Sequence, residues 1–114
     1  MTGFSFALMC AALAASACVT GKPLPESSID STGARLFNGY VDPDVSCYKC
    51  HGGAAEGGGA GPDLSKRVPK MTEDQIVEAI DEGPGFMPSY REKLTPAQSR
   101  EIAAWLRSRF ARGE

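Results

Sequence analysis

Two cysteines three positions apart, followed at once by a histidine, form the segment of this 114-residue chain whose residue types best suit chemistry: Cys47-Tyr48-Lys49-Cys50-His51. On a helix, one turn from Cys47 to Cys50 brings both thiols to the same face. Thiols so placed can each add to one vinyl group of a porphyrin, and the imidazole that follows can rise under the ring to ligate its iron. C-x-x-C-H is the attachment signature of a c-type haem, and histidine is a common proximal ligand of haem iron. Other uses of the motif fail on ligand count and surroundings. Zinc needs four protein ligands at a structural site, or three plus water at a catalytic one. The remaining cysteines, Cys10 and Cys18, lie in a segment expected to be removed or lipidated, and His51 is the only histidine. A redox dithiol belongs beside a βαβ unit, whereas loops and helices are expected here. The motif is read as the seat of one covalent haem.

With its one histidine used, the chain can present only Met71, Met87 or nothing to the opposite side of the iron. Met71 has a structural role available as the hydrophobic staple before a helix cap. Met87 lies in Gly83-Pro84-Gly85-Phe86-Met87-Pro88, a stiff, irregular stretch with no helical face to bury. A thioether there has little packing purpose and can be laid against iron, so Met87 is the favoured distal candidate.

Three helical stretches frame these residues. The first begins near Asp30 as N-cap, carries Gly33, Leu36 and Phe37, and stops at Gly39. The second opens on Thr72 with Gln75 three later, a capping box, with Met71 and Ile76 as staple. Its apolar side is Ile76, Val77, Ala79 and Ile80, and Gly83-Pro84 ends it. The third starts at Thr95-Pro96, with proline at the first helical position, and lines one face with Ile102, Ala103, Leu106 and Phe110, joined by Trp105. No run alternates well enough to be a strand, so the fold class is all-α. The glycine-dense loop from Gly52 to Gly61 lacks the Gly-Lys-Ser/Thr ending of a phosphate cradle. Beside His51, its glycines are read as letting backbone approach the edge of a bulky group.

The opening stretch is expected to lie outside the fold. Phe4 to Ala17 is apolar or small throughout, too short to span a bilayer, and Ala15-Ser16-Ala17 has the small-x-small pattern of an export cleavage site. Residues 1–17 are therefore read as a signal peptide, although no Lys or Arg precedes the apolar run. Leu13 to Cys18 resembles a bacterial lipobox, with Ala15 where Leu is usual, which makes Cys18 a lipidation candidate. Residues 18–29 read as a tether, lipidated or free. Residues 30–114 read as one small domain, for which a covalent haem serves as both core and staple; without it the chain is expected to be largely unfolded.

Net charge is −2, which offers no case for nucleic-acid binding. From Met71 to Tyr90 there are five acidic residues and no basic one, whereas from Arg91 onward bases outnumber acids six to three. Solvated helix faces explain such a pattern, and a dipole that steers a partner is the alternative.

Taken together, Gly33 with Phe37, Cys47-x-x-Cys50-His51, Gly61-Pro62-Asp63-Leu64, Met87-Pro88 and the final helix with Trp105 resemble a single-haem class I c-type cytochrome, over about Gly33 to Phe110. The resemblance implies a small cytochrome c fold, three or more helices wrapped around one covalently bound haem c, with residues 30–114 as the cytochrome domain. It implies a crossing of the first and last helices with Gly33 against Trp105, and a Pro62 carbonyl accepting the proton of His51. It also implies His51 and Met87 as iron ligands. Nine residues, Asn38 to Ser46, separate Phe37 from Cys47, longer than is common in that family.

The function expected on these grounds is one-electron carriage between redox proteins: a dehydrogenase, an oxidase or another cytochrome. No catalysis and no small-molecule substrate are expected. The expected location is the periplasmic face of a bacterial membrane as a lipoprotein, or else the soluble periplasm. Two rivals stay open: a haem subunit fixed to a dehydrogenase or oxidase, and a five-coordinate ligand-binding haem.

Overall fold

A computed structural model of the chain describes residues 20–110. The proposed signal peptide, Cys10 and Cys18 lie outside the described residues. Among these residues four α-helices follow one another: α1 (Thr32–Phe37), α2 (Tyr48–His51), α3 (Glu73–Glu82) and α4 (Pro96–Phe110). Short 3-10 turns occupy Glu26–Ser28 and Val68–Lys70. Among the described residues there is no strand, and the all-α expectation holds. No described helix is long and apolar enough to cross a membrane.

Local signals account for the helix ends. Ser31, not Asp30, caps α1, its hydroxyl accepting from Ala34 N–H at 3.2 Å. Ser31 has the extended backbone a cap requires, and its hydroxyl reaches the third helical N–H. At α3 the capping box is complete: Gln75 N–H donates to Thr72 Oγ1 at 3.1 Å and Thr72 N–H to Gln75 Oε1 at 2.9 Å. Gly83 then ends the helix in the left-handed conformation, with φ 68°. The same reciprocal pair recurs at α4 between Thr95 and Gln98. The T-x-x-Q pattern thus adds a second local start signal to Thr95-Pro96.

The core lies where α4 crosses α1 and α3. Leu36 and Phe37 of α1, Ile76 and Ile80 of α3, and Ile102, Ala103, Leu106 and Phe110 of α4 are buried together with Val45, Val68 and Leu94. Gly33 makes the crossing possible. A Cβ there would overlap the Glu101 carbonyl and stand 2.8 Å from Trp105 Cβ. Phe37 and Trp105 complete the contact, their ring centroids 5.1 Å apart and tilted by 54°, a geometry worth about 0.5–1.5 kcal/mol beyond area burial. The charge asymmetry is partly consumed inside the molecule. Arg100 of α4 reaches Glu73 and Asp74 of α3 at 3.3 and 3.1 Å, and Arg91 reaches Glu82 at 3.3 Å.

The reading of residues up to 29 as a free tether is corrected for the described part. Gly21 is buried and its N–H donates to the Lys49 carbonyl at 2.8 Å, while Lys22 O accepts from Gly53 N–H at 2.9 Å. Leu24 N–H donates to Asn38 Oδ1, and Tyr40 donates its hydroxyl proton to Leu24 O at 2.7 Å. Glu26 pairs with Arg35 at 2.8 Å. A Gly/Pro/Ser composition suggests flexibility, but these backbone groups find partners on the domain. The segment is a strap across the Cys47–His51 turn. Asn38 is its keystone: 2 % exposed, it also donates to Ala34 O and Gly53 O.

Candidate functional site

The cysteine motif folds as one tight turn. Cys50 and His51 N–H both reach the Cys47 carbonyl, at 3.2 and 3.0 Å, and Gly52 N–H reaches Tyr48 O at 2.8 Å. This puts Cys47, buried, and Cys50, exposed, on the rim of a single cavity as free thiols. Burial pushes the Cys47 thiol up to about 12, so it stays protonated at neutral pH and is a poor thiolate ligand or dithiol nucleophile. Among the described residues no three His, Cys, Asp or Glu side chains converge as a metal-holding group.

His51 is 8 % exposed, and its Nδ1 lies 2.9 Å from the Pro62 carbonyl. A carbonyl can only accept, so the ring carries its proton on Nδ1 and leaves the Nε2 lone pair free. Such a bond fixes tautomer and orientation and raises the basicity of the ligand. Gly61 lets the loop come this close: a Cβ there would stand 3.0 Å from Cys50 Cβ, His51 Cε1 and His51 Nδ1. Of the glycine-dense loop only Ala60 and Gly61 border the cavity. Gly59 packs instead against the Lys49 and Cys50 carbonyls, so most of the loop covers the motif backbone.

The cavity encloses about 580 Å³, within the rough 300–1,000 Å³ of ligand sites. Phe37, Leu64, Val68, Ile76, Ile80 and Leu106 supply apolar walls. Met87, half-buried, borders the same cavity. Met71 borders it too, but is held beside the α3 cap, its N–H on Val68 O at 3.0 Å and its carbonyl receiving Arg107. The structure thus gathers Cys47, Cys50, His51, Pro62 and Met87 around one space, together with side chains that sequence reasoning passed over. Ser46 ends the long Asn38–Ser46 connection at the cavity. Arg67 is the one Lys or Arg side chain among the lining residues. Tyr90 is folded back by its N–H bond to Ile80 O at 3.0 Å. Burial, followed by the neighbouring Cys47 and Cys50 sulfurs, holds its hydroxyl above the ordinary phenol range. Nothing in the local sequence marks these residues, because only the closed fold brings them to the wall.

The donor set fits an iron porphyrin: two thiols on one rim, an oriented imidazole, an apolar slot and a thioether. A family model described as cytochrome C oxidase, cbb3-type, subunit III, matches residues 30–106. The chain belongs to this family of c-type cytochromes. The cytochrome is also 38% identical over 77 residues to the quinohemoprotein alcohol dehydrogenase ADH-IIG of Pseudomonas putida, a match covering 65% of this chain and 10% of that enzyme. It is 28% identical over 87 residues to cytochrome c6 of Parathermosynechococcus lividus and of Thermosynechococcus vestitus. Those matches cover 73% of this chain and 93% and 72% of the relatives. The cofactor of the cytochrome is covalently bound haem c, and Cys47 and Cys50 stand at the spacing that attaches it. Its role is electron transfer through that haem.

Proposed function

We propose that this cytochrome is a one-electron carrier, not a catalyst, with Cys47 and Cys50 as attachment points and His51 and Met87 as axial ligands. When bound, haem c supplies a ferric/ferrous couple. The residues do the rest. Pro62 holds His51 in the tautomer that presents Nε2, and the apolar walls would keep water from the iron. The soft thioether of Met87 favours the ferrous state and raises the potential relative to two imidazoles. With His51 and Met87 both holding the iron, the site would leave no open position for a substrate. The observation that carries this reading is an oriented imidazole and a thioether bordering the same apolar cavity. In the Met87→Ala variant covalent haem is retained, the ferric spectrum becomes high-spin and the potential drops. An unchanged ferric spectrum would remove Met87 from the site.

The partners in this reading are redox proteins, and the place is outside the cytoplasm. Cleavage before Cys18 and its acylation would anchor the domain. Three residues of extended chain reach about 10 Å from Cys18 to the docked Gly21, so the domain would sit close against the bilayer. The mass of the mature N-terminal peptide tests both steps.

The match to ADH-IIG favours a second reading, a haem domain held permanently beside a dehydrogenase. Co-purification with a large partner would establish it. Ready carbon monoxide binding by the reduced protein would favour a five-coordinate haem over both.

A further inference from the structure

We propose that Arg109 is a positioning residue for the proximal ligand, acting on His51 through the loop that carries Pro62. The inference rests on the axial role of His51 just proposed. Arg109 lies beyond the segment 30–106 that matches the family, on the last turn of α4. Its Nε donates to the Ala54 carbonyl at 2.8 Å, across 55 residues of sequence. The guanidinium is held over two rings of its own helix, 6.0 Å from the Trp105 centroid and 5.6 Å from that of Phe110. Glu56 flanks it at 3.7 Å.

What it grips is a turn under tension. Ala55 is the one described non-glycine residue with positive φ, 62°, and it is fully buried. An alanine in the left-handed region is strained and persists only where its surroundings over-determine it. Ala55 is also where the loop closes. Its N–H donates to Gly52 O at 2.9 Å and its carbonyl accepts from Leu64 N–H at 2.9 Å. Leu64 stands two residues after Pro62, whose carbonyl holds His51 Nδ1. The linkage runs from Arg109 to Ala54, through the strained Ala55 to Leu64, and so to the acceptor that orients the imidazole. If the turn relaxes, the Nδ1 bond lengthens, His51 becomes a weaker base, and the ferric state loses part of its support.

The test uses the haem-loaded protein with Arg109→Gln, Arg109→Lys and Glu56→Gln, reading the reduction potential and the exchange rate of the His51 Nδ1 proton by NMR. Arg109→Gln raises the potential and speeds that exchange by about tenfold, the order expected for losing one hydrogen bond. Arg109→Lys, which keeps charge but not the planar Nε–H, falls between. Glu56→Gln changes neither. Ala55→Gly in the Arg109→Gln background restores both readouts, since glycine adopts the turn without strain. A lower melting temperature with unchanged potential and exchange would reduce Arg109 to helix packing and overturn the proposal. A full effect from Glu56→Gln, or no rescue by Ala55→Gly, would do so as well. Absence of covalent haem in the unaltered protein would instead defeat the functional reading on which the proposal rests.

Discussion

On the proximal side of the cavity, between Cys47 and Leu64, the backbone is tied at closely spaced points. His51 O receives Gly57 N–H at 2.8 Å, Cys50 O receives Gly61 N–H at 2.7 Å, and the strap holds Lys49 O and Gly53 N–H. On the distal side, Gly83 to Ser89 is held by far less. Met87 N–H reaches Pro84 O at 3.1 Å and Ser89 Oγ reaches Asp81 O at 2.5 Å, while Phe86 projects fully into solvent. Prolines at 84 and 88 stiffen the distal segment by removing conformations rather than by adding contacts. The contrast separates two jobs. In the proposed ligation the proximal wall would hold an imidazole to a fraction of an ångström, whereas the distal wall would have only to lay a flexible thioether within reach.

Removing the haem tests both walls together and has the largest expected effect. The haem-free chain is expected to lose most of its helical circular dichroism, because a domain this small cannot offset its ordering entropy without the cofactor. Cys47 and Cys50 then alkylate at equal rates at pH 8. A persisting pocket would show the reverse, with Cys47, buried and pushed up to about 12, lagging far behind Cys50. Gly61→Ala strikes the proximal wall alone. Its methyl group meets the His51 ring and Cys50 at 3.0 Å, and overpacking of this kind costs about 1–3 kcal/mol. Urea unfolding of the loaded protein measures that loss, and a shifted reduction potential should accompany it. Phe86→Ala probes the distal wall at a side chain that borders the cavity but is fully exposed. A stability change within about 0.5 kcal/mol is expected, with an unaltered ferric spectrum. A larger loss would mean that the distal segment is more firmly built than its hydrogen bonds indicate.

Much of the site was legible before any coordinates. Cys47, Cys50 and His51 were readable because their chemistry depends on spacing within one helical turn. Thr72 with Gln75 and the stop at Gly83 were readable for the same reason. Gly33 against Trp105 and Pro62 against His51 were accessible only through the family resemblance, since nothing near either residue points to its distant partner. The cap of α1 was misplaced by one residue because Asp30 and Ser31 are both good caps, and only the entry angle of the chain chooses between them. The strap was misread because composition reports what a segment does alone, whereas Gly21, Lys22 and Leu24 are ordered by Lys49, Gly53 and Asn38.

The amino-acid order alone determined what lies within about one helical turn of itself: the attachment motif, the caps, the stops and the stiff segment around Met87. These follow from covalent reach and local hydrogen bonding. Only the tertiary structure decided the rest. Asn38 is joined to Leu24 across 14 positions and to Gly53 across 15, and Arg109 to Ala54 across 55. Such pairings bring no gain until the intervening chain is closed, so no local pattern foretells them. They tie the strap and the last helix to the segment around His51, and the apolar walls gathered from α1, α3 and α4 turn a local motif into a cavity.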